Sequence, residues 1–243
     1  MVKLWLVAAL ALTVAACAPR GDDREGSRAS ATDVSAPAPA VAAKPASPPT
    51  PATAARPRIA VLGDSLTAGL GVAKAASYPS LLQAKLDAAG LDFEIVNAGV
   101  SGDTSAGGLA RLDWALDGDV RVLIVALGGN DGLRGLPAAE LQANLAQIIE
   151  RAQARRITVI LAGMEAPPNY GRDYIVAFHM VYPALAAKYR VALVPFLLHG
   201  VAGDETLNQR DGIHPTAAGA RIVADNVWAV LEPIAEARRR PTT

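Results

Sequence analysis

Cysteine is nearly absent from this chain. Cys17 is the only one in 243 residues, so no disulfide can close within the chain and no cysteine cluster can bind a metal. An excess of either charge is also missing, since lysine plus arginine equals aspartate plus glutamate at 23 each. No net field favours nucleic acid or an anionic surface, and Arg238-Arg239-Arg240 near the C-terminus reads as a solvated helix end. Phosphate-binding signatures fail as well. A P-loop needs a Gly-Lys pair beginning five residues after Gly63, but Ala68 stands at that glycine position. A dinucleotide fingerprint starting at Gly69 and Gly71 ends on Lys74 instead of a third glycine.

The N-terminus carries Lys3 and then the apolar run Leu4–Ala16. At about 1.5 Å per helical residue that run is too short to span a bilayer, but it suits the core of a signal peptide. It closes on Val14-Ala15-Ala16-Cys17, which resembles a bacterial lipobox, a cleavage site placed directly before a cysteine that is then acylated. Residues 1–16 are therefore expected to be a lipoprotein-type signal peptide, with Cys17 the lipidated residue. Plain secretion after an A-x-A site is the alternative, though it would leave Pro19 first. Residues 18–57 hold 8 of the 17 prolines and no aromatic residue. Such a segment buries too little apolar surface to offset ordering entropy, so 17–57 is expected to be a disordered Ala/Pro-rich linker. As a flexible coil it would reach roughly 35 Å.

From residue 58 the pattern changes to strands alternating with helices. Ile59–Leu62, Phe93–Val96, Val120–Leu127, Ile157–Leu161 and Val191–Val194 are short apolar runs suited to buried parallel strands. Helical spacing appears over Tyr78–Ala89, after Thr104 (Leu109, Leu112, Leu116), after Pro137 (Leu141, Leu145, Ile148, Ile149), over Tyr174–Tyr189 and from Pro215 to Arg239. This alternation predicts a single α/β domain over residues 58–240, a parallel sheet covered on both faces. Asn97–Thr104 reads as a small-residue loop.

The strand exits carry the chemistry. Gly63-Asp64-Ser65 follows the first strand, Ser101-Gly102 the second and Asn130-Asp131 the third. Parallel strands share a direction, so these loops fall on the carboxyl edge of the sheet, where such folds bind ligands. Gly63-x-Ser65-x-Thr67 misses only the last glycine of a nucleophile elbow, and an ordinary strand-to-helix turn competes with that reading. Asp211-Gly212-Ile213-His214 precedes the last helix, completing the chain order Ser, Asp, His. Asp211 and His214 lack a third ligand at metal-binding spacing, and no metal or cofactor is expected. His179 and His199 read as structural.

Gly63-Asp64-Ser65-Leu66, Gly99 with Gly102, Gly129-Asn130-Asp131 and Asp211-x-x-His214 resemble the four ordered blocks of the SGNH (GDSL) hydrolase family. Longer phrases, Asn97–Ser105 and Leu127–Gly135, are similar to its branch of periplasmic arylesterases and multifunctional thioesterase/lysophospholipases. The resemblance implies a flavodoxin-like three-layer α/β/α sandwich on a five-stranded parallel sheet. It implies Ser65 as nucleophile, His214 as base, Asp211 as its orienting carboxylate, and an oxyanion hole of Ser65, Gly102 and Asn130. Asp64 is expected to brace the turn, and Asp131 is either a brace or a bystander. The implied activity is serine-dependent hydrolysis of carboxylic esters; the lipobox-like sequence adds the expectation that the protein is held to the membrane through Cys17, facing the periplasm. Acyl-CoA is cytoplasmic, so aryl, short or medium acyl and lysophospholipid esters are the expected substrates. Deacetylation of envelope polysaccharide and a catalytically disabled binding module are the alternatives.

Overall fold

In a computed structural model, residues 56–239 are described; the signal-peptide, Cys17 and linker expectations lie outside them, apart from the linker's last two residues. Five strands form one parallel sheet: β1 (Arg58–Gly63), β2 (Glu94–Gly99), β3 (Val120–Ala126), β4 (Thr158–Ala162) and β5 (Ala192–Val194). Their order is β2-β1-β3-β4-β5, the flavodoxin-like arrangement. Ile59, Ala60, Val61 and Leu62 are all fully buried, as are Val122–Val125 on the neighbouring strand. Successive side chains of a strand point to opposite faces, so complete burial means that helices cover both.

Two helix groups provide that cover. The helix α2 (Tyr78–Ala88) packs on α8 (Ala217–Arg238), while α6 (Ala138–Ala154) packs between α3 (Ser105–Ala110) and α7 (Arg172–Tyr189). Leu141, Leu145, Ile148 and Ile149 are fully buried, as their spacing predicts.

Three of the differences from the sequence reading bear on the site. Asn97–Gly99 belongs to β2 and not to a loop: it stays in register with Val61–Gly63 of β1, while Asn97 Nδ2 donates to Thr67 O at 2.8 Å. Leu109, Leu112 and Leu116 do not share one helix. The chain breaks at Arg111 between α3 and α4 (Leu112–Ala115), and the Arg111 side chain turns to the strand ends. The last helix starts at Ala217 and not at Pro215, because Thr216 caps it by accepting from Gly219 N.

Register also fixes the working edge. Gly63 lies opposite Gly99 on one side and Ala126 on the other, so three strands end level with one another. Gly99 has no substitute there: a Cβ would lie 2.3 Å from Ala68 N and 2.7 Å from Thr67 C, both backbone atoms that cannot move aside.

Candidate active site

Ser65 opens a one-turn helix, α1 (Ser65–Ala68), directly after β1. Asp64 caps it, accepting from Leu66 N at 3.0 Å, and Gly69 ends it in the left-handed conformation with φ 79°. Gly63 lets the turn fold tightly, since any Cβ would sit 2.0 Å from Thr67 Oγ1. Ser65 is thereby held nearly buried while its Oγ reaches the open edge. Asp64 is itself only 2% exposed, and desolvation pushes its carboxyl up to about 6 against the hydrogen bond from Leu66.

Ser65 Oγ stands 2.9 Å from His214 Nε2. His214 Nδ1 stands 2.7 Å from Asp211 Oδ2. The other oxygen of Asp211 accepts from Ile213 N at 2.9 Å and His214 N at 3.0 Å. One tight turn thus presents both side chains, which is what the Asp-x-x-His spacing permits. The backbone N–H of His214, then that of Ile213 and then the imidazole hold the Asp211 carboxyl down at about 2. An ionised carboxylate on Nδ1 keeps Nε2 free to accept a proton from the serine.

The remaining exit loops face the same serine. Gly102 adopts φ 86° in the loop after β2, and its carbonyl accepts from Arg134 Nη2 at 2.8 Å. Neither Ser65 N–H nor Gly102 N–H has an acceptor among the described residues. Asn130 lies in the short helix α5 (Gly129–Leu133) after β3. Its Nδ2 donates to Asp103 O at 2.9 Å and, more weakly, to Asp64 Oδ2 at 3.3 Å. Asp131 is buried and accepts from Ser105 N at 2.8 Å and Ser105 Oγ at 2.6 Å, so it braces α5 against α3.

A cleft of about 520 Å³ opens over these groups, with Ser65, Gly102, Asn130 and His214 on its floor. Its walls are mainly apolar, among them Leu70, Met164 and Phe196. Glu165 also lines it, paired with His179 Nδ1 at 2.7 Å; His179 is thus an exposed partner of the cleft rim and not a core residue. Among the described residues no group of three or more histidine, cysteine or acidic side chains is placed to hold a metal ion. No helix among them is long and apolar enough to cross a membrane.

A hydroxyl, an imidazole and a carboxylate in line beneath an apolar cleft define the class of a serine hydrolase site. Residues 61–222 match the GDSL-like lipase/acylhydrolase family. The chain is 49% identical to esterase TesA of Pseudomonas aeruginosa over 175 residues, 72% of this chain and 87% of that protein. It is 39% identical to thioesterase 1/protease 1/lysophospholipase L1 of Escherichia coli, over 72% of this chain and 83% of that one. Among solved structures, the esterase EstA of Pseudoalteromonas, inhibited by monoethylphosphonate, superposes with a TM-score of 0.70 at 32% identity, covering 74% of this chain and 98% of that one. The chain belongs to the GDSL-like lipase/acylhydrolase family and is a carboxylic ester hydrolase of the SGNH type.

Asp103, Arg111 and Glu165 also meet the site, and none of them stands out in the sequence. The first two act through main-chain carbonyls or each other, and no residue pattern announces such contacts.

Asp64 supplies a pH test. Its folded value of about 6 lies above the usual 3.8, so its contribution to stability is full below 3.8 and lost as pH rises through about 6. Asp211 works in the opposite sense and lower down, losing its contribution as pH falls from 3.8 towards about 2. Urea denaturation of wild type and Asp64→Asn across the upper window should show wild type losing roughly 3 kcal/mol relative to the variant. Parallel curves would mean that the carboxylate is not desolvated as described.

Proposed function

We propose that Ser65 is the nucleophile of this esterase, with His214 as its base and Asp211 as the group orienting His214. The observation that carries this reading is the contact of Ser65 Oγ with His214 Nε2 at 2.9 Å, continued to Asp211 at 2.7 Å. Ser65 Oγ adds to the ester carbonyl carbon as its proton passes to Nε2. The carbonyl oxygen becomes an oxyanion, received by the free N–H groups of Ser65 and Gly102 and by Asn130 Nδ2. Asn130 gives up its 3.3 Å bond to Asp64 for the new acceptor and keeps the shorter one to Asp103. The C–O bond to the leaving group then breaks, and the alkoxide or phenoxide takes the proton from His214. Water repeats the sequence on the acyl-enzyme: its proton goes to His214, the oxyanion forms again, and Ser65 leaves as its hydroxyl is restored. The product is the free carboxylic acid.

The cleft supports aryl, short or medium acyl and lysophospholipid esters as substrates. Leu70, Leu133 and Ile213 line it while remaining 48%, 42% and 39% exposed, a mouth suited to apolar groups and poorly suited to sugar hydroxyls. That observation favours these substrates over an envelope polysaccharide. Cys17, the one cysteine and the last residue of the lipobox-like sequence, is the proposed site of acylation, which would hold the enzyme to the membrane in the periplasm.

Asn130→Ala tests the oxyanion assignment. It should lower kcat by roughly 10²- to 10³-fold, about 2.7–4 kcal/mol, with KM little changed and the melting temperature nearly unmoved. Ser65→Ala should cost more, because it removes the covalent route. A kcat within a few-fold of wild type for Asn130→Ala, or one that falls only in step with lost folding, would make Asn130 a loop brace. A panel of esters of increasing chain length should show kcat/KM rising with acyl carbons until the cleft is filled. A strong preference for acetylated sugars would overturn the substrate reading.

Membrane attachment is separable from catalysis. Cys17→Ser should move the protein from the membrane fraction to the soluble periplasmic fraction with its specific activity intact. A mature N-terminus other than acylated Cys17, read by mass spectrometry, would refute the anchor.

A further inference from the structure

The side chain of Arg111 is only 18% exposed and reaches the exits of β1 and β2 and the loop after Gly102. Each arm of its guanidinium goes to a different segment. Nη2 donates to Gly63 O at 2.8 Å, at the exit of β1. Nη1 donates to Ala98 O at 2.7 Å, near the end of β2. Nε donates to Asp103 Oδ2 at 2.5 Å, in the loop that follows Gly102. A planar guanidinium can satisfy three acceptors in fixed directions at once, whereas a lysine ammonium on a flexible stem cannot reproduce that fork.

Asp103 passes this order onward. Its N–H donates to Val100 O at 3.1 Å, and its carbonyl accepts from Asn130 Nδ2 at 2.9 Å. Gly107 faces its carboxylate, where a Cβ would come within 2.8 Å of Asp103 Oδ1. Gly63 O accepts both Arg111 and Val100 N, the latter at 3.0 Å, and Gly63 stands two residues before the serine. All three oxyanion donors of the proposed mechanism are therefore one or two residues, or one hydrogen bond, from an acceptor of Arg111.

We propose that Arg111 is a positioning residue for catalysis: it locks the exits of β1 and β2 and Asp103 into one unit, and so sets the spacing of the oxyanion donors Ser65 N–H, Gly102 N–H and Asn130 Nδ2. This rests on the catalytic reading above and adds to it what holds the oxyanion site in shape. Donors that stabilise a transition state must be in place before charge develops, and a misplacement of about 1 Å can cost on the order of 10²-fold. A role confined to sealing strand-end carbonyls would affect folding but not the turnover of folded enzyme.

Arg111→Gln and Arg111→Lys, assayed as folded protein with active sites counted by titration, should lose roughly 10- to 100-fold in kcat with KM within a few-fold of wild type. Combined with Asn130→Ala, Arg111→Gln should cost much less than it does alone, because part of what it positions has already been removed. Asp103→Asn keeps the backbone carbonyl but drops the ion pair. It should reproduce a smaller loss of kcat, and it carries the test if Arg111→Gln does not fold. Unchanged kcat per titrated site in the variants that fold, with only the melting temperature lowered, would overturn the proposal. So would full additivity with Asn130→Ala. Should Ser65→Ala keep its activity, the catalytic reading itself falls; should only the Arg111 and Asp103 effects be missing, that reading stands and this inference falls alone.

Discussion

The level ending of three parallel strands is the constraint from which the rest of the site follows. Gly63, Gly99 and Ala126 are register partners across β2, β1 and β3. Each strand continues into a loop that bears one group of the proposed mechanism: a hydroxyl, a glycine N–H and an amide. Because the central strands are buried on both faces, a slip of register would drive polar residues into the core and strip apolar ones from it. The same burial that stabilises the sheet therefore holds the functional groups at one edge. His214 and Asp211 come from outside the sheet, and their short turn makes the pair nearly self-contained.

Rigidity at this edge is built largely from hydrogen bonds to main-chain carbonyls. Tyr170, in the turn before α7, and Tyr174 and Tyr182, on α7, donate to Leu133 O, Leu136 O and Leu127 O, clasping the segment around α5. Asp131 and Ser105 clasp it from the side of α3. Asn130 is thus carried on a turn fixed from both sides, while the cleft above it is walled by apolar side chains. A desolvated carboxylate, Asp64, sits at the centre of this arrangement and costs stability at neutral pH. A site that accepts such a cost for geometry is a common compromise between folding and function.

How far the sequence revealed this depended on what kind of contact each residue makes. Strand β3 and helix α6 were legible because their apolar periods are long and unbroken. Asn97–Gly99 looked like a loop because small and polar residues dominate it, yet ladder pairing with β1 makes it strand. Helix α5 has five residues and two glycines, too few to show any period. Ser65, Asp211 and His214 could be picked out by type and spacing together with the family resemblance, and the structure brings them into one line. Arg111 could not, because two of its partners are backbone carbonyls that every residue possesses.

In the proposed mechanism one serine, activated by one histidine, does the chemistry. The most direct measurement is to inactivate the folded enzyme with a fluorophosphonate and locate the adduct by peptide mass spectrometry. One adduct per chain is expected, on Ser65, appearing at the rate at which activity is lost and failing to form in His214→Ala. Complete inactivation with the adduct on another residue, or full activity in protein modified at Ser65, would contradict that mechanism.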